Sequence, residues 1–315
     1  MLLLVCLAGW AIIAVGCMAL GSTGFGWPKT EMIWSLRREA TLVASLIGAS
    51  LALAGVTYQA VLRNPLAEPY LLGVSSGASL AVFAWSTISF ATLYLASISQ
   101  QAAAFLGGIG TLAIVFLLAQ RRGRLEPLTL LLVGVIINAI NGALFLLVFF
   151  LARSTDLQKA FRFLAGGLQP DLAQSQVLTV AILFAVSLAI LLIISGQLNI
   201  SMLSEAEAQS LGVRIHRLRW MAMVVASLAT ASAMAISGPI GFVGLVCPHL
   251  GRLLVGNDQR KLIPVATALG ASLLAIADAC SRTMGQLPVG VLTGFLGGPF
   301  FLFLLWQSRK QGDRT

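Results

Sequence analysis

The chain has 315 residues, of which 58% are hydrophobic and only 10% are charged. A soluble domain carries about 25% charged residues, so this composition excludes an ordinary soluble enzyme or binding domain and indicates an integral membrane protein. The net charge of +9 does not indicate a nucleic-acid partner, because the basic residues lie scattered in short loops between apolar runs.

Runs with little or no charge predict the membrane spans, because a helix needs about 20 apolar residues to cross a bilayer. Run 2–20 has no basic segment before it and is interpreted as a span rather than a signal peptide. Run 70–120 is too long for one span and divides at its most polar interior point, 97–101. The predicted spans are 2–20, 41–62, two within 70–120, 128–152, 172–195, 220–237, 262–281 and 287–307.

The run 240–249 decides whether the total is nine or ten, because it is too short to cross the hydrocarbon core as an ideal helix. With ten spans and the N-terminus inside, 13 of the 20 basic residues lie on the cytoplasmic side; with nine spans, only eight do. The excess of basic residues in cytoplasmic loops therefore favours ten. The sequence predicts one all-α membrane domain over 1–315, with ten spans, one of them short or broken, and both termini cytoplasmic.

Three segments combine helix breakers with small residues. In 63–78, prolines follow Asn64 and Glu68, and each proline removes an N–H and biases the residue before it away from the helix. Segments 237–252 and 286–300 are similar, and their glycines permit close backbone approach. A packed turn is the simplest interpretation of each. The residues singled out are Asn64, Pro65, Glu68, Pro69, Gly238, Pro239, Pro248 and Pro288.

The longest polar loop on the predicted inner side is 198–220. Within it, 204–212 predicts a short helix, because Ser204 can cap the start, acidic residues suit the positive N-terminus, and Gly212 suits the exit. On pattern alone this is an ordinary surface helix.

These segments together resemble the permease subunits of binding-protein-dependent ABC importers for ferric siderophores, haem and vitamin B12, the FecCD type. The resemblance implies a homodimer in the cell inner membrane. It also implies two ATPase subunits and a periplasmic or lipid-anchored substrate-binding protein. Magnesium ATP would be bound by the ATPase, and this chain would hold no cofactor or metal. The permease would contribute alternating access.

The resemblance also implies roles for individual residues. The helix within 204–212 corresponds to the element that couples the permease to the ATPase, although Ser204 replaces the family's glycine. Arginines before the second and last spans correspond to those that dock the binding protein, but the proline and second arginine of the family pattern are missing here. The predicted coupling residues are Leu203, Glu205, Ala208, Leu211 and Gly212, and the predicted docking residues are Arg37, Arg38 and Arg282.

Two alternatives compete with these roles. Arginines commonly mark membrane boundaries, and Arg282 lies one helical turn from Asp278, so an internal ion pair is an alternative to docking. By position, Pro127, Leu128 and Thr129 correspond to the cytoplasmic gate. Asn138 and Asn141 are candidates for the pathway, with interhelical hydrogen bonding as the alternative.

The sequence contains no phosphate-binding loop, metal-ligand cluster or Ser/His/Asp set, so ATP hydrolysis is expected on another polypeptide. The rival from another class is an ion-coupled secondary transporter, which places ionisable residues near the bilayer midplane. The cargo is expected to be a ferric siderophore, with vitamin B12 and haem as alternatives.

Overall fold

A computed structural model describes residues 2–21, 24–28, 30–89, 99–121, 124–151, 163–168, 172–203 and 205–312. Within these residues the chain is helical apart from two small hairpins and the connections. The helices are α1 (Leu2–Met18), α2 (Glu31–Val61), α3 (Val74–Ser89), α4 (Gln100–Ala119), α5 (Pro127–Leu151), α6 (Gln174–Ile193), α7 (Ser195–Ser201), α8 (Glu205–Ser210), α9 (Ile215–Ser237), α10 (Val243–Val255), α11 (Gln259–Thr283) and α12 (Val289–Gly312). A 3₁₀ helix covers Pro69–Leu72. The antiparallel hairpins pair β1 (Leu20–Gly21) with β2 (Gly24–Phe25), and β3 (Gln120–Arg121) with β4 (Arg124–Leu125).

Six helices in the described part of the chain are long and apolar enough to cross a membrane: α2, α4, α5, α6, α9 and α11. Four further apolar helical stretches are shorter, in α1, α3, α10 and α12. The all-helical class is therefore confirmed, and every predicted span has a helix at its position. The boundary at 97–101 agrees with the start of α4, while the residues before it, 90–98, lie outside the described part.

Two boundaries differ from the prediction. Helix α2 begins at Glu31, ten residues before the predicted span at 41. Arg37 lies within this added part of the helix and is buried, so it does not mark the start of the helix. The short run after Pro239 forms α10, which at 1.5 Å per residue is about 20 Å long. That is too short for a hydrocarbon core of about 30 Å.

Helices α2, α9 and α11 form the centre of the molecule, since most of their apolar residues are buried. Glycine pairs bring the helices into direct backbone contact. A Cβ on Gly48 would lie 2.1 Å from the carbonyl oxygen of Gly270, and a Cβ on Gly77 would lie 2.6 Å from that of Gly107. These pairs set the α2–α11 and α3–α4 crossings, as small residues do inside bilayers. By contrast, α5 and α6 lie at the edge, with most of their apolar side chains exposed.

The connection 62–73, here called the re-entrant loop, enters the helix bundle. Its partner is the break 238–242 before α10. Gly55 lies six residues, or about 9 Å, before the end of α2. A Cβ on Gly55 would lie 1.9 Å from the carbonyl oxygen of Gly244, near the start of α10. The break before α10 therefore lies about 9 Å inside this end of the bundle. Irregular backbone at this depth is tolerated only where protein covers it and satisfies its polar groups.

Candidate functional site

The first two sequence segments meet through Glu68 and Phe242. The Glu68 carboxylate accepts a hydrogen bond from the Phe242 backbone amide at the start of α10. Phe242 itself has a left-handed backbone, with φ of 68°. A Cβ on Gly244 would lie 2.8 Å from Pro69 Cδ, so the ring packs directly on the α10 backbone. Glu68 therefore caps a helix that begins 174 residues later.

The third segment joins the same region. The Gly290 amide donates to the Gly166 carbonyl at 3.0 Å. A Cβ on Gly297 would lie 2.2 Å from Phe242 Cγ, so α12 crosses the Phe242 ring at a glycine. Gly238 has φ of 70°, and a Cβ there would lie 2.0 Å from the Phe163 carbonyl oxygen. The three segments that carry the resemblance thus form one packed unit.

The other residues singled out shape the local turns. Asn64 Oδ1 accepts from the Leu66 amide at 2.9 Å, which closes a turn around Pro65. Pro248 is buried inside α10. The Pro288 carbonyl accepts from the Val291 amide at 3.0 Å, at the start of α12. The backbone carbonyl of Pro239 lies 3.0 Å from where a Cβ on Gly290 would stand.

Asn138 and Asn141 are engaged in interhelical hydrogen bonds. Asn138 Nδ2 donates to the carbonyls of Leu71 at 3.2 Å and Tyr70 at 3.3 Å. Both carbonyls belong to the 3₁₀ helix within the re-entrant loop. Asn141 Nδ2 donates to Ser76 Oγ at 3.0 Å, and Ser76 Oγ in turn donates to Asn138 Oδ1 at 2.6 Å. The interhelical hydrogen bonds of the alternative interpretation are therefore present, and they satisfy the Tyr70 and Leu71 carbonyls. A role for the two asparagines in the pathway stays a prediction.

The predicted coupling helix is present as α8, with Glu205 at its first position. The C-terminal end of α8 has the left-handed exit geometry that a glycine at position 212 predicts. The Gly212 amide donates to the Gln209 carbonyl at 2.9 Å, the Val213 amide donates to the Ala208 carbonyl at 3.1 Å, and Gly212 has φ of 79°. This is a Schellman exit. Ala208 is buried, whereas Leu203 and Leu211 on either side of α8 are 45% and 59% exposed. Ser204 lies outside the described residues.

Sequence reasoning missed the residue that holds this loop. Arg63, at the start of the re-entrant loop, donates to the Ser201 carbonyl and also to the Leu203 carbonyl. Only the positive charge on a predicted inner loop hinted at a role. The bond ties α2 to the segment that presents α8.

A second tie holds the same segment from the other side. Asn199 Nδ2 donates to Asp258 Oδ1 at 2.7 Å, and Asn199 Oδ1 accepts from the Gln259 amide at 2.8 Å. The bond from Asn199 lowers the pKa of Asp258, which also caps α11. Helix α7 is thereby fixed to the start of α11, so the base of the loop is anchored to two central helices.

The predicted docking arginines have different surroundings. Arg37 is only 7% exposed and donates to the Met18 carbonyl at 3.2 Å and the Gly26 carbonyl at 2.9 Å. Arg282 forms an ion pair with Asp278, with 3.1 Å between Nε and Oδ2, although the pair lacks in-line hydrogen-bond geometry. Arg38 is exposed. The internal ion pair of Arg282 with Asp278 is confirmed. Docking of a binding protein stays a prediction, and the exposure of Arg38 makes it a better candidate for that role than the buried Arg37.

The predicted gate residues lie at the start of α5, which begins at Pro127. Leu128 is 66% exposed, and Thr129 Oγ1 donates to Glu126 Oε2 at 2.8 Å, which links the first turn to the residue before the helix. An exposed leucine at this helix start is compatible with an apolar plug, and the gate role stays a prediction. In the described part of the chain, no group of three or more His, Cys, Asp or Glu side chains could hold a metal ion.

Comparison with known proteins gives a consistent result. The model of the FecCD transport family matches residues 2–307. The hemin transport system permease protein HmuU of Yersinia pestis is 36% identical, over 96% of each chain. The vitamin B12 import system permease protein BtuC of Vibrio cholerae is 38% identical, over 89% of this chain and 84% of that one.

A solved structure described as a metal-chelate type ABC transporter in an inward-facing conformation superposes with a TM-score of 0.84. It is 31% identical and covers 96% of this chain and 99% of that one. The family match spans nearly the whole sequence, the relatives exceed 30% identity over most of both chains, and the fold agrees. The chain is an integral membrane protein that belongs to the FecCD transport family.

Proposed function

We propose that this chain is the permease subunit of an ABC importer, with ten spans and both termini in the cytoplasm. Two copies form the pathway, two separate ATPase subunits bind at the inner face, and a substrate-binding protein docks at the outer face. One observation carries this proposal. Two exposed leucines, Leu203 and Leu211, flank helix α8 on a loop whose base is anchored by Arg63 and Asn199. A rigid apolar projection at the membrane surface suits a contact that transmits movement.

The cargo we propose is a ferric siderophore that crosses as an intact chelate. Helix α5 carries no charged residue, and its Asn138 and Asn141 belong to a network of amides and hydroxyls. An uncharged wall with hydrogen-bonding groups suits a chelate that already satisfies its metal, whereas a bare cation would require carboxylates. Haem is the second candidate, because the hemin permease matches 96% of both chains.

Transport by the reconstituted system tests this proposal. The permease, its cognate ATPase subunits and its binding protein are placed in liposomes with ATP inside, and uptake of radiolabelled ferric siderophore, hemin and cobalamin is compared. Uptake that requires hydrolysable ATP supports the importer role, and the preferred ligand identifies the cargo. Uptake that follows an ion gradient without ATP would establish the secondary-transporter alternative instead.

A further inference from the structure

Two adjoining cavities lie at the start of α9, next to the coupling loop. The first has a volume of about 470 Å³ and is lined by Arg217, Trp220, Met221 and Val224 among others. The second, of about 410 Å³, lies on the α8 side and is lined by Gln209, Arg214 and other residues of the turn. His216 and Arg217 line both cavities, so the two adjoin at these side chains.

The cavities differ in chemistry along the helix axis. Arg214 and Arg217 are exposed, and within the described residues neither guanidinium forms an ion pair or a side-chain hydrogen bond. His216 Nδ1 is buried and has no hydrogen-bond partner among those residues. One to two turns further along, Met221 is 41% exposed and Val224 is 38% exposed. Positive charge therefore stands at one end, and an uncovered apolar groove follows it.

The distances match a lipid at a membrane surface. Seven residues separate Arg217 from Val224, which corresponds to about 10 Å along α9. Trp220 lies between them, and tryptophan is a residue type that favours the membrane interface. Its ring packs edge-on against Phe116 with centroids 5.2 Å apart.

We propose that this surface binds one anionic phospholipid, with its phosphate at Arg214, His216 and Arg217 and an acyl chain along Trp220, Met221 and Val224. Charge complementarity selects the headgroup, because basic pockets between membrane helices at the cytoplasmic face attract anionic lipids. A soluble ATPase subunit could cover the polar cavity but could not fill a groove that continues two turns into the bilayer. This site is separate from the cargo pathway, so the inference goes beyond the proposed function.

Native mass spectrometry of the delipidated full-length chain in detergent tests the site, whichever way the protein faces in cells. The probes are dioleoylphosphatidylglycerol, dioleoylphosphatidylcholine and glycerol 3-phosphate. Dioleoylphosphatidylglycerol should bind more tightly than dioleoylphosphatidylcholine, and its affinity should fall as the salt concentration rises. Arg217→Gln should lower affinity for the anionic lipid about fivefold, because each basic residue near an anionic surface contributes about a factor of that size. Arg217→Lys, which keeps the charge, should retain most of the affinity.

Two matched variants separate the lipid from other occupants. Lys261→Gln removes one exposed charge outside the groove and should leave binding unchanged. Val224→Trp fills the groove, leaves the charges in place, and should weaken binding of the anionic lipid. The proposal is overturned by equal affinity for the two lipids, or by equal losses in Arg217→Gln and Lys261→Gln. Full competition by millimolar glycerol 3-phosphate, or displacement by the ATPase subunits, would also overturn it, in favour of an anion site or a protein interface.

Discussion

Arg63 donates two hydrogen bonds to the carbonyl oxygen of Ser201, from Nε at 3.0 Å and from Nη2 at 2.8 Å. The two residues are 138 positions apart, and Arg63 adopts a left-handed backbone, with φ of 48°, in doing so. The contact joins the re-entrant loop, which is packed against α10, to the segment that presents α8. The segment that presents α8 is therefore hydrogen-bonded directly to the packed motif unit.

The first prediction concerns this link. Arg63→Lys keeps the charge but loses the planar fork that bonds two carbonyls, so transport-linked ATP hydrolysis should fall about threefold to tenfold, in line with the loss of one net hydrogen bond. Hydrolysis by the reconstituted complex is measured with and without binding protein. Lys261→Arg is the control and should behave as the unmodified protein. Unchanged stimulation in Arg63→Lys would show that the link does not transmit movement.

The second prediction concerns α8. Leu211→Asp places a charge on an exposed apolar side chain, so it should abolish stimulated hydrolysis while the melting temperature of the permease stays unchanged. Asn257→Asp makes the same change in charge on another exposed loop, which is also predicted to lie on the inner side, and should have no effect. If stimulated hydrolysis persists in Leu211→Asp, α8 is not the coupling element.

The third prediction separates the two neighbouring arginines. Arg38→Glu should slow association of the binding protein strongly at low salt and less at high salt, because exposed charges act mainly through steering. Arg37→Glu should instead lower stability, on the order of 3 kcal/mol, since a buried carboxylate would face the Met18 and Gly26 carbonyls. Association rates in nanodiscs and melting temperatures are measured for both. A stable Arg37→Glu protein with slow docking would reverse the assignment.

The fourth prediction concerns the α2–α11 crossing. Gly48→Ala places a Cβ 2.1 Å from the Gly270 carbonyl oxygen, so the helices must separate, at a cost of about 1–3 kcal/mol. Gly9→Ala makes the same change in α1, where no atom lies within 4 Å, and should not destabilise the protein. Thermal unfolding in detergent compares the two, and equal melting temperatures would contradict the close packing.

The fifth prediction concerns topology. In a Cys280→Ser background, Met284→Cys should react with a membrane-impermeant maleimide in intact cells, whereas Asn257→Cys should react only after permeabilisation. Both positions are exposed. The expectation follows from the distribution of basic residues that favours ten spans. Labelling of Asn257→Cys from outside would rule out the proposed orientation.

Features set by neighbours along the chain could be predicted from the sequence. Apolar runs located the helices, Gly212 located the end of α8, and the four-residue spacing of Asp278 and Arg282 indicated their ion pair. Each depends only on helical periodicity or on local backbone preference.

Features set by tertiary packing could not be predicted. The burial of Arg37 depends on carbonyls at the end of α1 and just after the β1–β2 hairpin, and Arg63 finds its partners 138 and 140 positions away. A pattern along one segment contains no information on which distant backbone groups lack partners. The same reason explains why Asn138 and Asn141 left two interpretations open.

The pairing of Glu68 with the Phe242 amide also constrains the biogenesis of the protein. At about 5–20 residues per second, the ribosome needs roughly 9–35 s after Glu68 to synthesise its partner 174 residues later. During that time the carboxyl group must stay at the bilayer surface, because a buried position without its partner is costly. The re-entrant loop therefore enters the protein only after α10 has been inserted.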